Sequence, residues 1–318
     1  MTFPSPLLLN LNSEKIKCSF RVKLWNSLEK DDEDIMNGKN FLGRILVPID
    51  GSASSLMAEE TTAIIAKKTG AAVTVFHVKQ ELRLGSQLPR NVQDELLGSI
   101  EQYAERIVNS ARALFSEEKV KIDTETISGD PADSILEFSK EGYDLIVMGA
   151  HGENEKDPYA LGSVTKKVIR HTICPTLIVK KVSALSNLLV CIDGSGNAIK
   201  ALDYSAKLAE KMGSNITLLN VQERRLYDSS PKTAEELGEK ILSKALNAVR
   251  KRKLKVGKKL EFGVPSDVIA EVAEKGKYDL IVLGSRGLGT VSRFLLGSVS
   301  DDVSHKAKCS LLLVPAKT

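Results

Sequence analysis

Across 318 residues no stretch approaches the roughly 20 consecutive apolar residues that a membrane span needs, so no membrane partner is expected. The opening Met1-Thr-Phe-Pro-Ser-Pro-Leu-Leu-Leu9 has no early Lys or Arg, and its apolar core is too short for a secretory signal. Cysteine is scarce, and the four present form neither a metal-ligand spacing nor a disulfide framework. Cys174 and Cys309 hold matching places before an apolar run, where small core residues are expected. A reducing, cytoplasmic setting follows as the expectation. His77, His151, His171 and His305 show no metal spacing and are expected at the surface or at helix ends. There is no G-x4-G-K-[ST] loop, which excludes a P-loop kinase or motor.

What is present is ordinary in bulk: 42% apolar and 27% charged residues, as in a soluble globular chain. The net charge of +4 is unevenly spread. Residues 1–40 are neutral, 41–182 carry 17 Lys+Arg against 20 Asp+Glu, and 183–318 carry 22 against 15. Much of the excess lies in Arg250-Lys-Arg-Lys-Leu-Lys-Val-Gly-Lys-Lys259. No aromatic residues interleave with it, so a solvated helix end and the strand after it are expected rather than a nucleic-acid surface.

The most informative feature is a repeated glycine spacing. Gly149-x2-Gly152-x9-Gly162-Ser163 returns 135 positions later as Gly284-x2-Gly287-x9-Gly297-Ser298. Each follows a short apolar run, Asp144-Leu-Ile-Val-Met148 and Asp279-Leu-Ile-Val-Leu283. The duplication extends further. Arg44-Ile-Leu-Val-Pro-Ile-Asp-Gly-Ser52 matches Asn187-Leu-Leu-Val-Cys-Ile-Asp-Gly-Ser195, and Val73–Val78 matches Ile216–Val221. Gly129-Asp-Pro131 answers Gly263-Val-Pro265. The first copy is nine residues longer between Val78 and Gly129, where Gly85 and Pro89 predict a longer surface loop.

Length and repeat together divide the chain into an N-terminal extension, 1–40, and two domains at 41–182 and 183–318. The extension is expected to be disordered; a start at Met36 would place the first strand where such a domain normally begins. Within each domain, short Val/Ile/Leu runs alternate with amphipathic stretches such as Ser54–Thr69, closed by Gly70, and Ala198–Met212, closed by Gly213. Alternating strands and helices with right-handed crossovers predict an α/β fold of two tandem, doubly wound, open parallel five-stranded sheets. The last runs, Leu177–Lys180 and Leu311–Pro315, would each leave an apolar open edge. Pairing them hides both, so the halves are expected to pack as an intrachain pseudo-dimer.

On these residues the chain resembles a tandem universal stress protein over about residues 41–318. The strand-end Asp50 and Asp193, the Gly-x-Pro turns and the doubled G-x2-G-x9-G-[ST] spacing carry the resemblance, the last marking the ATP-binding branch. It implies a Rossmann-like, adenine-nucleotide-binding fold. ATP or another adenine nucleotide is the implied ligand, with Mg or Mn bridging its phosphates rather than sitting in a protein cage. In the first domain it assigns Asp50 to the ribose, the Val78 backbone to the adenine edge, and Gly149, Gly152, Gly162, Ser163 and Val164 to the phosphates. In the second it assigns Asp193, Val221, Gly284, Gly287, Gly297, Ser298 and Val299 to the same tasks, with Arg286 between the glycines. Asp-Gly-Ser is also good capping chemistry, so N-caps are the alternative for Asp50 and Asp193, and Ser163 and Ser298 can be caps as well as phosphate contacts. The family leaves room for a homodimer of tandem chains.

Between its glycines the first loop carries Glu153, Glu155 and Asp157, with Pro158, which depart from the family pattern; the second carries Arg286 and Arg293. The second site is therefore expected to bind an anion more tightly. The function implied is a nucleotide-binding stress-response or signalling module, with binding rather than catalysis as its main activity. Catalytic text of enzymes of this superfold is missing: there is no Ser-Gly-Gly-x-Asp-Ser loop and no His-x-Gly-His, and Lys211-Met-Gly-Ser214 is not Lys-Met-Ser-Lys-Ser. A weak, autophosphorylating or slowly hydrolysing ATPase and a nucleotide-independent interaction scaffold are the alternatives.

Overall fold

Strand and helix alternate through the chain as the repeat predicts. A computed structural model describes residues 41–80, 89–152, 160–285, 287 and 296–316. From Leu42 onward they belong to one compact unit. The first half runs β1 (Arg44–Ile49), α1 (Ala53–Thr69), β2 (Ala72–Lys79), α2 (Arg90–Glu117), β3 (Ile122–Ser128), α3 (Pro131–Phe138), β4 (Leu145–Gly149), α4 (Ser163–His171) and β5 (Thr176–Val179). The second runs β6 (Asn187–Cys191), α5 (Gly196–Met212), β7 (Asn215–Glu223), α6 (Arg224–Ser229), α7 (Pro231–Val249), β8 (Val256–Gly263), α8 (Pro265–Lys275), β9 (Leu280–Gly284), α9 (Ser298–Lys306) and β10 (Ser310–Val314). The predicted longer loop falls partly outside the described residues, Gly85 with it. Pro89 instead stands at the N-cap of the 28-residue α2, where its fixed φ suits a helix entry.

Strand order in the first half is β3-β2-β1-β4-β5 and in the second β8-β7-β6-β9-β10, all parallel within a half. The halves meet through their last strands. β5 and β10 pair antiparallel, with Leu177 opposite Leu312, so the two predicted sheets join as one ten-stranded sheet. The pseudo-dimer expected from the apolar edges is the pairing observed.

Burial follows position in that sheet. The inner strands β4, β5, β9 and β10 are buried on both faces, which is why they read as unbroken Val/Ile/Leu runs. The outer strands β3 and β8 have no buried residue and carry Asp123, Glu125, Lys258 and Lys259, charges that keep an unpaired edge from templating aggregation. Helices α1 and α5 pack against each other as well as on the sheet. Tyr204 of α5 reaches across, its hydroxyl donating to the Asp144 carbonyl at 2.9 Å.

The smaller expectations divide. Cys174 is buried and its thiol donates to the Tyr143 carbonyl, while Cys309 packs half-buried against the core. Burial pushes the Cys174 thiol up to about 12 and Cys309 to about 11, so neither is a thiolate at neutral pH. The basic run is the turn after α7 and the start of β8; within it Arg252 pairs with Asp203 and Glu210. His171 and His305 are exposed in the last turns of α4 and α9. His77 departs from expectation: it lies on β2, buried, and its Nδ1 donates to the Ile49 carbonyl at 2.9 Å. A polar ring on an inward strand position is tolerated because that bond satisfies it. Asn220 does the same in the second half, donating to the Ile192 carbonyl at 2.6 Å.

Candidate functional site

The sheet order reverses between β1 and β4, and again between β6 and β9, opening a crevice beyond the strand ends at each point. Asp50 leaves β1 there. Its Oδ1 accepts the Ser52 N–H at 3.0 Å, and Gly51 between them sits at φ 86°, a left-handed turn that favours glycine. The following helix is capped by Ser52, whose Oγ accepts the Ser55 N–H at 3.1 Å. The second half repeats this: Asp193 Oδ1 accepts the Ser195 N–H at 2.9 Å, Gly194 has φ 88°, and Ser195 caps α5. The cap alternative for the two aspartates therefore falls, since serine two residues on does that work. Both carboxylates are exposed at the crevice mouths.

The glycines of the doubled signature have separable reasons. A Cβ on Gly149 would lie 2.7 Å from the backbone of Ser54, and one on Gly284 2.8 Å from the Asn197 amide, so these two let β4 and β9 approach α1 and α5. Gly152 and Gly287 lie under the aspartates: a Cβ there would meet Asp50 Oδ2 at 2.9 Å and Asp193 Oδ2 at 2.7 Å. Gly162 is the N-cap of α4 and Gly297 that of α9, and neither offers a side-chain cap to the helix N–H groups. Ser163 and Ser298 are the first helical residues, which removes the cap alternative for them too. Gly162 N–H donates to Ala150 O at 2.9 Å, and Gly297 N–H to Ser285 O at 2.8 Å, holding each helix start against the strand that precedes it. Thr165 and Ser300 complete the match by donating to the carbonyls of Gly149 and Gly284 at 3.0 and 2.9 Å. Arg286, Arg293, Glu153, Glu155 and Asp157 lie outside the described residues.

In the first half all seven candidates, from Asp50 to Val164, line a single cleft of about 870 Å³. Sequence reasoning missed its outer wall, which α2 supplies through Ile100, Tyr103 and Arg106, the guanidinium lying 5.8 Å from the Tyr103 ring centre. It also missed Ser55 on the inner wall. The Ser55 hydroxyl accepts the Asp50 N–H at 3.4 Å and pairs with Glu59 Oε1 at 3.2 Å. Glu59 is buried, and that burial, opposed by the Ser55 hydrogen bond and reinforced by the Asp50 and Glu60 charges, raises its carboxyl from 4.5 to about 7. The signal was legible: Ser55 and Glu59 break the repeat, standing where the second copy has Ala198 and Leu202.

Chemically, the cleft combines three environments. At one end the uncapped start of α4 offers N–H groups and the positive end of a helix dipole, an anion-binding arrangement. Apolar residues such as Pro48, Phe76, Val78 and Met148 line it. Asp50 supplies acceptors at the mouth for hydroxyl groups. Among the described residues no group of three or more His, Cys, Asp or Glu side chains is placed to hold a metal ion.

Comparison with known proteins agrees with the repeat. The profile of the universal stress protein family matches residues 42–180 and 185–315. A universal stress protein of Methanocaldococcus jannaschii is 36% identical over 149 residues, covering 46% of this chain and 87% of that protein. The Bacillus subtilis universal stress protein YxiE is 32% identical over 148 residues, covering 44% of this chain and 100% of its own length. Among solved structures, a universal stress protein from Archaeoglobus fulgidus superposes with a TM-score of 0.67 at 23% identity, over 86% of this chain and 98% of that one. The last likeness is one of fold.

Proposed function

Because the chain belongs to the universal stress protein family, we propose that it is an adenine-nucleotide-binding stress-response module with binding, rather than turnover, as its main activity. The observation that carries this reading is the convergence of all seven first-half candidates on one cleft at the switch point of the sheet. Gly152, Gly162 and the N–H groups of Ser163 and Val164 would take the phosphates, with Mg or Mn carried on their oxygens. The Val78 backbone would meet the adenine edge and Asp50 the ribose hydroxyls. In the second half Asp193, Val221, Gly287, Gly297, Ser298 and Val299 would do the same work, joined by Arg286, and Gly149 and Gly284 would act by keeping the strand ends close to α1 and α5. The two domains proposed are 41–182 and 183–318, working in a reducing cytoplasm where the thiols stay reduced.

Two measurements test the reading. Mg-ATP should raise the melting temperature in step with the logarithm of its concentration, as a ligand selective for the native state must. Protein purified without added ligand and then denatured should release an adenine nucleotide identifiable by mass spectrometry. A melting temperature indifferent to millimolar Mg-ATP would refute the proposal.

A further inference from the structure

One feature of the first cleft has no counterpart in the second. Ser55, on the inner wall, stands one hydrogen bond in front of a buried carboxyl, that of Glu59. At the corresponding places in the second half are Ala198 and Leu202, both buried and apolar. A glutamate on a helix face that is otherwise buried costs desolvation, and among the described residues no ion pair offsets it.

The surroundings of Glu59 are acidic or neutral. On its own helix Glu60 is adjacent, and Asp50 faces it from the loop after β1. The nearby β4 and β5 carry no titratable side chain, and Arg44 of β1 is engaged with Tyr143 instead. From β2 comes His77, bound to the Ile49 carbonyl, and from α2 come Tyr103 and Arg106 at the outer wall. On the facing helix α5, Lys207 pairs with Asp203, Lys200 donates to the Ala316 carbonyl, and Tyr204 donates to Asp144 O.

The Ser55 hydroxyl has one hydrogen and two lone pairs. One lone pair takes the Asp50 N–H. When Glu59 is ionised it can only accept, so it takes the Ser55 hydrogen and leaves the cleft facing a lone pair. When Glu59 is protonated it donates to Ser55, whose own hydrogen is then free to turn into the cleft. An anionic oxygen or a carbonyl in the cleft requires the second state. Its negative charge also favours the neutral carboxyl behind it.

We propose that Glu59 is a positioning residue that sets the hydrogen-bonding polarity of Ser55, so that an anionic ligand binds the first cleft with net proton uptake from solvent while the second cleft binds without it. This rests on the nucleotide-binding reading and adds to it a proton-linked specificity confined to one half.

The test is calorimetric titration of the full chain with Mg-ATP at pH 6, 7 and 8, each in two buffers of different ionisation enthalpy, for the native protein and Glu59→Gln. Protonation of the nucleotide's own phosphate is common to both proteins and cancels in the difference. Native protein should take up additional protons on binding, and its first-cleft affinity should fall about fivefold more from pH 6 to pH 8 than that of the variant. The Gln amide, which can donate to Ser55 and does not titrate, should make the first-cleft affinity of the variant nearly independent of this proton between pH 6 and pH 8. As a readout on unaltered protein, the Glu59 carboxyl followed by carbon NMR should titrate at higher pH with Mg-ATP bound than without. Equal proton uptake by the two proteins, or a carboxyl titration unmoved by ligand, overturns the proposal while leaving nucleotide binding standing. Absence of binding at every pH overturns the nucleotide reading and this coupling together.

Discussion

Lys180, the residue after β5, caps a helix in the opposite half: its Nζ donates to the carbonyl of Ala307 at 2.8 Å and to that of Ser304 at 2.8 Å. The ammonium is buried at the C-terminal end of α9, where the helix dipole favours a cation and the last carbonyls lack helical partners. Its repeat counterpart is Pro315, which has neither charge nor donor. The contact across the pseudo-dimer is thus made once, not twice.

Lys180→Met should therefore weaken the union of the halves. Two charge-assisted hydrogen bonds are lost and two carbonyls are left buried, a destabilisation of roughly 2–4 kcal/mol. Urea unfolding should show a lower midpoint, with Lys180→Arg recovering part of the loss. An unchanged midpoint would mean that water replaces the ammonium at no cost.

Residues 183–318 expressed alone expose the β10 edge that β5 covers in the full chain. The fragment should self-associate through that apolar edge. A clean monomer in sedimentation at high concentration would contradict this.

Glu59 makes stability depend on pH in a direction opposite to most carboxylates. Its folded value of about 7 lies above the unfolded value near 4.5, so the native state holds the extra proton between them. Stability contributed by this group is present below pH 4.5 and is lost as pH rises through 7. Glu59→Gln should match the native protein near pH 4.5 and exceed it by roughly 3 kcal/mol at pH 8, from 1.36 kcal/mol per pKa unit. Denaturant titrations at the two pH values check this, and a variant no more stable at pH 8 would contradict it.

The two clefts should differ in affinity. Acids in the first glycine loop and arginines in the second favour the second for a polyphosphate by roughly 1 kcal/mol, several-fold in binding. Gly149 and Gly284 are poor places to test this, because a larger residue there collides with α1 or α5. At Gly152 and Gly287 an added Cβ meets, among the described residues, only the side chains of Asp50 and Asp193, so Gly152→Leu and Gly287→Leu are the better pair. The Gly287 variant should lose more ATP binding than the Gly152 variant; equal losses by calorimetry would contradict the ranking.

Repetition made most of this fold readable. The second copy confirmed each strand end and glycine turn of the first, and apolar runs such as Leu311–Pro315 announced strands with no solvent face. Features that depend on tertiary approach were not readable. The outer wall built by Tyr103 and Arg106 needs the exit angle of α2, and Lys180 acts on a helix more than 120 residues away in sequence. His77 misled because a lone imidazole on a strand carries no sign of the carbonyl that satisfies it. Glu59 lay between these cases, visible as a departure from the repeat but meaningless until the helix placed it behind Ser55.

Calorimetric titration of the full chain with Mg-ATP, beside the double variant Gly152→Leu, Gly287→Leu, bears most directly on nucleotide binding. Saturable binding of up to two nucleotides per chain is expected for the native protein, and its loss in a double variant that melts as a folded protein. No saturable binding by the native chain at millimolar nucleotide, or undiminished binding by the double variant, would contradict the assignment of these clefts.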